Sequence, residues 1–205
     1  MKSGVLMLSV LTSQEYHSLF VSQVLPQIQE FIGTRCRASE VRIEEEMPDS
    51  YRSETGPLLL SQILIFEKKA KDCDLVAFKR KTLELERYFS REDKRRFNLN
   101  PGLLDKRGLW MASHKESSRR TQLDKEKEVW VELQLRWSRR KLADTAWTFA
   151  EFKPADRKIL LQDVYREVLG KNYNRRKYHT RWTGRLAQKY PRNRRFNPSP
   201  FGMAD

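Results

Sequence analysis

The chain has 205 residues, with 41 Lys and Arg against 27 Asp and Glu, a formal charge of +14 and 39% apolar side chains. That length suits one ordinary domain with limited room for a second, and the composition is polar without being depleted enough for a chain disordered throughout. No apolar run approaches the ~18–20 residues that cross a bilayer, which excludes a transmembrane protein; two cysteines, Cys36 and Cys73, and three scattered histidines offer neither a disulfide framework nor a metal site.

The N-terminal run Val5–Leu11 lacks a small-residue cleavage site, so it is expected as a buried first strand of a cytoplasmic protein rather than a signal peptide. Thr12 and Glu15 have the spacing of a capping box. Apolar residues then recur at Tyr16, Leu19, Phe20, Val24, Ile28, Phe31 and Ile32, one face of a helix that Pro26 must kink or split. Val41, Ile43 and Met47 suggest a strand, and Leu58–Phe66 has the composition of a central one. Asp74 is placed to cap a second helix reaching about Phe89, with Lys79, Arg80 and Lys81 on its outside.

The second half reads as β structure. Asn100-Pro101-Gly102 has turn composition, Gly108–Ser113 is extended, and Glu128–Trp137 alternates with Val129, Val131, Leu133, Leu135 and Trp137 on one face. Ala146–Phe152 is read as a further strand. Pro154 opens a last helix, with Ile159, Leu160, Val164 and Val168 inward, that Gly170 closes. The expected fold is α+β: helices packed on a largely antiparallel sheet, in one compact domain of residues 1–170.

Charge is unevenly spread. Residues 171–205 hold ten basic residues and one acid, a net +9, against +5 for residues 1–170. Tyr173, Tyr178, Trp182, Tyr190, Phe196 and Phe201 alternate with the basic residues of this C-terminal arm. Cations neutralise phosphates while aromatic and guanidinium planes stack on unpaired bases. Arg175, Arg176, Lys177, Tyr178, Arg181, Trp182, Arg185, Lys189, Arg192, Arg194 and Arg195 are therefore the candidate nucleic-acid contacts, with RNA or a ribonucleoprotein such as the ribosome as partner. The same arm could instead thread through a protein assembly or lie on the chain's own acidic surface; a membrane is disfavoured because no amphipathic face develops.

The common nucleotide-binding, hydrolase and zinc-protease signatures are absent, so an enzyme is disfavoured and no cofactor is expected. Shorter groupings remain: S-x-L-T-S (Ser9 to Ser13), D-x-Y-x-x-E-x-G (Asp49, Tyr51, Glu54, Gly56), K-x-x-T-x-x-x-E (Lys79, Thr82, Glu86), R-x-N-x-N-P-G-x-L (Arg96 to Leu104), A-S-x-K with R-R-x-x-L (Ala112 to Leu123) and W-T-F (Trp147 to Phe149). In this order they resemble the bacterial domain of unknown function 4416 family, whose hallmark is D-P-G-Y, over about residues 4–169. Relative to that pattern Asn100 replaces Asp, Leu103 replaces Tyr, Arg119 replaces His, and Ala150-Glu151-Phe152 replaces Pro-Asp-Tyr. If the family's site is catalytic, these replacements imply that this member has lost the reaction; if it binds an anion, Lys115, Arg119 and Arg120 keep or strengthen that binding. Asn100, Lys115, Arg119 and Arg120 are then the candidate ligands for a small anion, unless the 113–120 segment is only a solvated charged hairpin.

Overall fold

The computed structural model describes residues 3–45, 49–91 and 94–170. They form nine strands: β1 (Gly4–Ser13), β2 (Cys36–Ala38), β3 (Arg42–Ile43), β4 (Leu59–Ala70), β5 (Phe97–Leu104), β6 (Gly108–Ser113), β7 (Thr121–Asp124), β8 (Val129–Ser138) and β9 (Lys141–Asp144). One sheet runs β2-β4-β1-β5-β6-β8-β7, with β3 also on β4 and β9 on β8, and every described pairing is antiparallel. Five helices, α1 (Gln14–Leu19), α2 (Leu25–Ile32), α3 (Asp49–Thr55), α4 (Asp72–Tyr88) and α5 (Ala155–Leu169), complete the α+β architecture that the sequence led us to expect.

β1 is buried along all ten residues, because helices cover both sides of the sheet. On one face Leu6, Leu8 and Val10 pack with Phe20, Ile28, Phe78 and Leu85; on the other, Val5 and Met7 pack with Ile63, Ile65, Phe152, Leu161 and Val164. A strand buried on both faces needs a continuous apolar run, which is why Val5–Leu11 lacks alternation. Arg157 is fully buried and ties α5 to the sheet. Its Nη2 donates to Ser61 Oγ at 2.7 Å and to the Ser61 carbonyl at 3.1 Å, and its Nη1 donates to the Glu151 carbonyl at 2.8 Å and faces Glu44 at 3.5 Å.

Several local expectations change. Thr12 is the penultimate residue of β1, held in ladders to β4 and β5, and its hydroxyl donates to the Arg96 carbonyl at 2.9 Å; the capping box with Glu15 does not form. The first helix is split by a π-helical turn at Phe20–Val24, and Pro26 sits directly after it, in the first turn of α2. Asp74 lies inside α4 and accepts the Lys71 N–H at 2.7 Å, so Lys71 occupies the cap position. β3 is only two residues long, and Met47 lies outside the described residues. Residues 146–152 are not a strand but a turn followed by a 3-10 turn at Ala150–Phe152. On α5, Ile159 faces solvent while Arg157, Leu161 and Val164 face inward.

β8 also departs from simple alternation. Leu109 pairs with Leu135 and Trp110 with Leu133, so Gln134 is an extra residue that turns the strand over. Val129 and Val131 consequently join the first core and Leu135 the second. The buried Gln134 side chain accepts the Phe149 N–H at 2.8 Å, and its carbonyl takes the hydroxyls of Thr145 and Thr148, which fixes the 145–149 turn against the sheet.

Candidate functional site

Asn100-Pro101-Gly102 is the interior of β5 rather than a turn. Gly102 is demanded by close packing: a Cβ there would lie 2.5 Å from Met111 Sδ and 2.9 Å from the Trp110 carbonyl oxygen. β5 pairs with β6 only along Gly102–Leu104, whereas it pairs with β1 along its whole length. Its first half therefore has a free edge toward β6, the setting in which a strand tolerates Pro101. Beyond Gly102 the two strands part, and the gap between them is a cavity of about 140 Å³.

Each wall follows from a local periodicity. α4 presents Lys79, Thr82 and Glu86, three and then four residues apart on one helical face, all buried. The expectation that Lys79 points outward is thus corrected: it is 3% exposed and lines the cavity. Glu86 accepts the N–H of Leu99, a backbone group with no β6 residue opposite it, so the carboxylate stands in for the missing strand. β5 contributes Asn98 and Asn100, two residues apart and so on one face. Met111 to Lys115, Arg95, Arg120, Glu132 and Phe149 line the cavity too, as does Tyr51 of α3.

Four basic residues, Lys79, Arg95, Lys115 and Arg120, meet two acids, Glu86 and Glu132, in this lining. Two of the cations are already committed. Arg95 Nε donates to Glu54 at 2.9 Å; Arg120 Nε donates to the buried Glu132 at 3.3 Å, and its Nη1 donates to the Lys115 carbonyl at 2.7 Å. Lys79 is not: among the described residues its ammonium has neither a hydrogen bond nor an ion pair, the side-chain amides of Asn98 and Asn100 make no hydrogen bond either, and all three groups open on the cavity rather than being sealed in the core. Burial pushes the Lys79 ammonium below the usual lysine range; Glu86 opposes that, and Arg95 and Arg120 add to it. Glu86 is raised by burial, against the pull of Lys79 and the Leu99 N–H. The His114 imidazole is lowered, first by burial and then by Lys79 and Lys115.

Of the residues that the sequence singled out for an anion, Asn100, Lys115 and Arg120 meet at this cavity. Arg119 does not line it; its Nε lies 3.1 Å from Glu132 on the outer side, half exposed. Leu103 is buried in the first core. Lys79, Glu86, Asn98 and Glu132 were not recognised as site residues, although the K-x-x-T-x-x-x-E spacing, which places three polar residues on one helical face, carried the signal for two of them. The arm residues Arg175 to Arg195 lie outside the described residues.

Five of the six short motifs from the sequence supply residues to this one cavity: Tyr51, Lys79 and Glu86, Asn98 and Asn100, Ala112 to Lys115 with Arg120, and Phe149. The remaining one, Ser9 to Ser13, lies on β1, where Ser9 pairs with Asn100. A family model described as a domain of unknown function (DUF4416) matches residues 2–168. The chain belongs to that family. The DUF4416 match ends before the basic arm and includes every element of the sheet. Searches among curated proteins and among solved structures find no match. Among the described residues of this DUF4416 domain, no helix is long and apolar enough to cross a membrane, and no three His, Cys, Asp or Glu residues group as metal ligands.

Proposed function

We propose that the DUF4416 body is a receptor for a small anion, held in the cavity between β5 and β6. Lys79 carries the reading. On a residue only 3% exposed, its ammonium faces the cavity with no protein partner among the described residues, and a bound anion would pair with it while using the donors of Asn98, Asn100 and Lys115. Arg120, braced by Glu132 and the Lys115 carbonyl, supplies fixed positive charge at small conformational cost. The volume limits the ligand: a cavity of about 150 Å³ accommodates a benzene-sized molecule, so the buried part has about six non-hydrogen atoms. A phosphate group or a small carboxylate fits; a whole nucleotide has to leave its base outside. The test is thermal shift and calorimetry with phosphate, sulfate and small carboxylates on the wild type and on Lys79→Met and Asn100→Ala. Saturable binding lost in both variants supports the receptor reading, and a flat response to every anion refutes it.

A second reading concerns the arm, favoured by its +9 charge and six interleaved aromatics. It is a non-enzymatic RNA-binding or ribonucleoprotein-associated role in which residues 171–205 contact phosphates and bases. With about six phosphates neutralised, log K against log salt has a slope of about −4 to −5 on single-stranded RNA. Deletion of residues 171–205 abolishes the band shift on this reading. Tight RNA binding by residues 1–170 alone overturns it, and a complex that survives nuclease points to a protein assembly instead.

A further inference from the structure

We propose that Lys79 captures a small carbonyl-bearing anion, of the 2-oxo acid class, as an imine on its amino group; this rests on the reading of the cavity as an anion receptor. Three features of the cavity carry the inference. The Lys79 amine is buried and lines the cavity, with no hydrogen bond or ion pair among the described residues to occupy its lone pair or hold its proton. The other lysine of α4, Lys81, pairs with Glu84 and does not share that setting. The cavity also supplies what a 2-oxo acid needs beside its carbonyl: Arg120 and Lys115 for the carboxylate, in a volume of about 140 Å³ that suits a molecule of about six non-hydrogen atoms.

Glu86, two helical turns along the same face, provides a carboxyl group in the same enclosure. Burial holds Lys79 below and Glu86 above their ordinary ranges, so this ammonium gives up a proton more readily than a surface lysine does and the carboxylate takes one up more readily. The chemistry balances without oxidant or reductant. The amine lone pair forms the C–N bond as the carbonyl oxygen takes up a proton, giving a carbinolamine. Loss of the nitrogen proton and of the hydroxyl as water then leaves C=N. Hydrolysis reverses every step, so the inference concerns reversible capture and requires no turnover.

The experiment uses the full-length protein with pyruvate or glyoxylate, trapped by sodium cyanoborohydride at neutral pH, with intact mass and peptide mapping. The expected result is a single adduct on Lys79, forming at least about tenfold faster than on any other lysine and suppressed by phosphate as competitor. The wild-type peptide map decides the matter even if a Lys79→Arg variant folds poorly. Pyruvate binding by calorimetry with adducts scattered over surface lysines overturns the imine and leaves the anion receptor standing. Neither pyruvate binding nor a Lys79 adduct overturns the imine, and the anion receptor falls with it only if phosphate and sulfate also fail to bind.

Discussion

Replacing Lys79 with methionine should make the ligand-free protein more stable. Methionine keeps most of the packed stem and is tolerated in cores. What it removes is an ammonium on a residue only 3% exposed, with no hydrogen bond or ion pair among the described residues. A sealed, unsatisfied polar group costs about 1–3 kcal/mol; the Lys79 ammonium opens on the cavity, where water reaches it, and Glu86 recovers a further part. The expected gain is about 0.5–1 kcal/mol at neutral pH and low anion concentration, or about 1–4 °C in Tm for a domain of this size.

The pH dependence fixes the sign. Because the folded Lys79 lies below the usual lysine range, the unfolded chain binds more protons between its lowered value and that range, so wild-type stability rises with pH there. The methionine variant lacks this rise, so its advantage must shrink toward alkaline pH. It must also shrink as phosphate is added, since only the wild type gains from the anion. Urea melts at several pH values, with and without phosphate, measure all three effects. If Lys79→Met instead costs more than about 1 kcal/mol, the ammonium is satisfied in the fold and the argument for the anion fails.

Glu86→Ala should cost about 1–3 kcal/mol in a urea melt by orphaning the Leu99 N–H, while Glu86→Gln, which keeps an acceptor, should cost less than half of that. Gly102→Ala should destabilise by about 1–3 kcal/mol, since its Cβ meets the Trp110 carbonyl at 2.9 Å as well as Met111 Sδ, and backbone cannot step aside; a Tm equal to wild type contradicts the packing described. Arg157→Ala leaves the Ser61 and Glu151 carbonyls without this donor and Glu44 without its ion-pair partner, and a loss of about 3–5 kcal/mol is expected by chemical denaturation, with Arg157→Met costing less than Arg157→Ala because it fills the volume.

The periodic elements were legible because their side chains report their own environment. Val5–Leu11 and Leu58–Phe66 are apolar enough to require burial wherever they pack, and α5 announces itself between Pro154 and Gly170. The errors fall where a local preference met a stronger tertiary demand. Asn-Pro-Gly favours a turn, yet pairing with β1 and the close approach of Met111 keep Asn100–Gly102 extended. Thr12 and Glu15 have capping-box spacing, yet Thr12 is held by two strand ladders. Ala146 to Phe152 resemble a strand, yet the Gln134 bulge captures the start of that segment as a turn.

The sequence by itself determined that the chain builds an α+β domain ahead of a strongly cationic arm, because composition, periodicity and charge are properties of neighbours along the chain. It also brought Asn100, Lys115, Arg119 and Arg120 forward as candidate anion ligands, of which all but Arg119 line the cavity. Only the tertiary structure decided that Lys79 points inward and has no ion-pair partner among the described residues. A surface lysine and a buried one carry the same letter; the difference is made by β5 and β6 parting beyond Gly102, which opens the space that Lys79 faces and leaves Glu86 to cap the free strand edge.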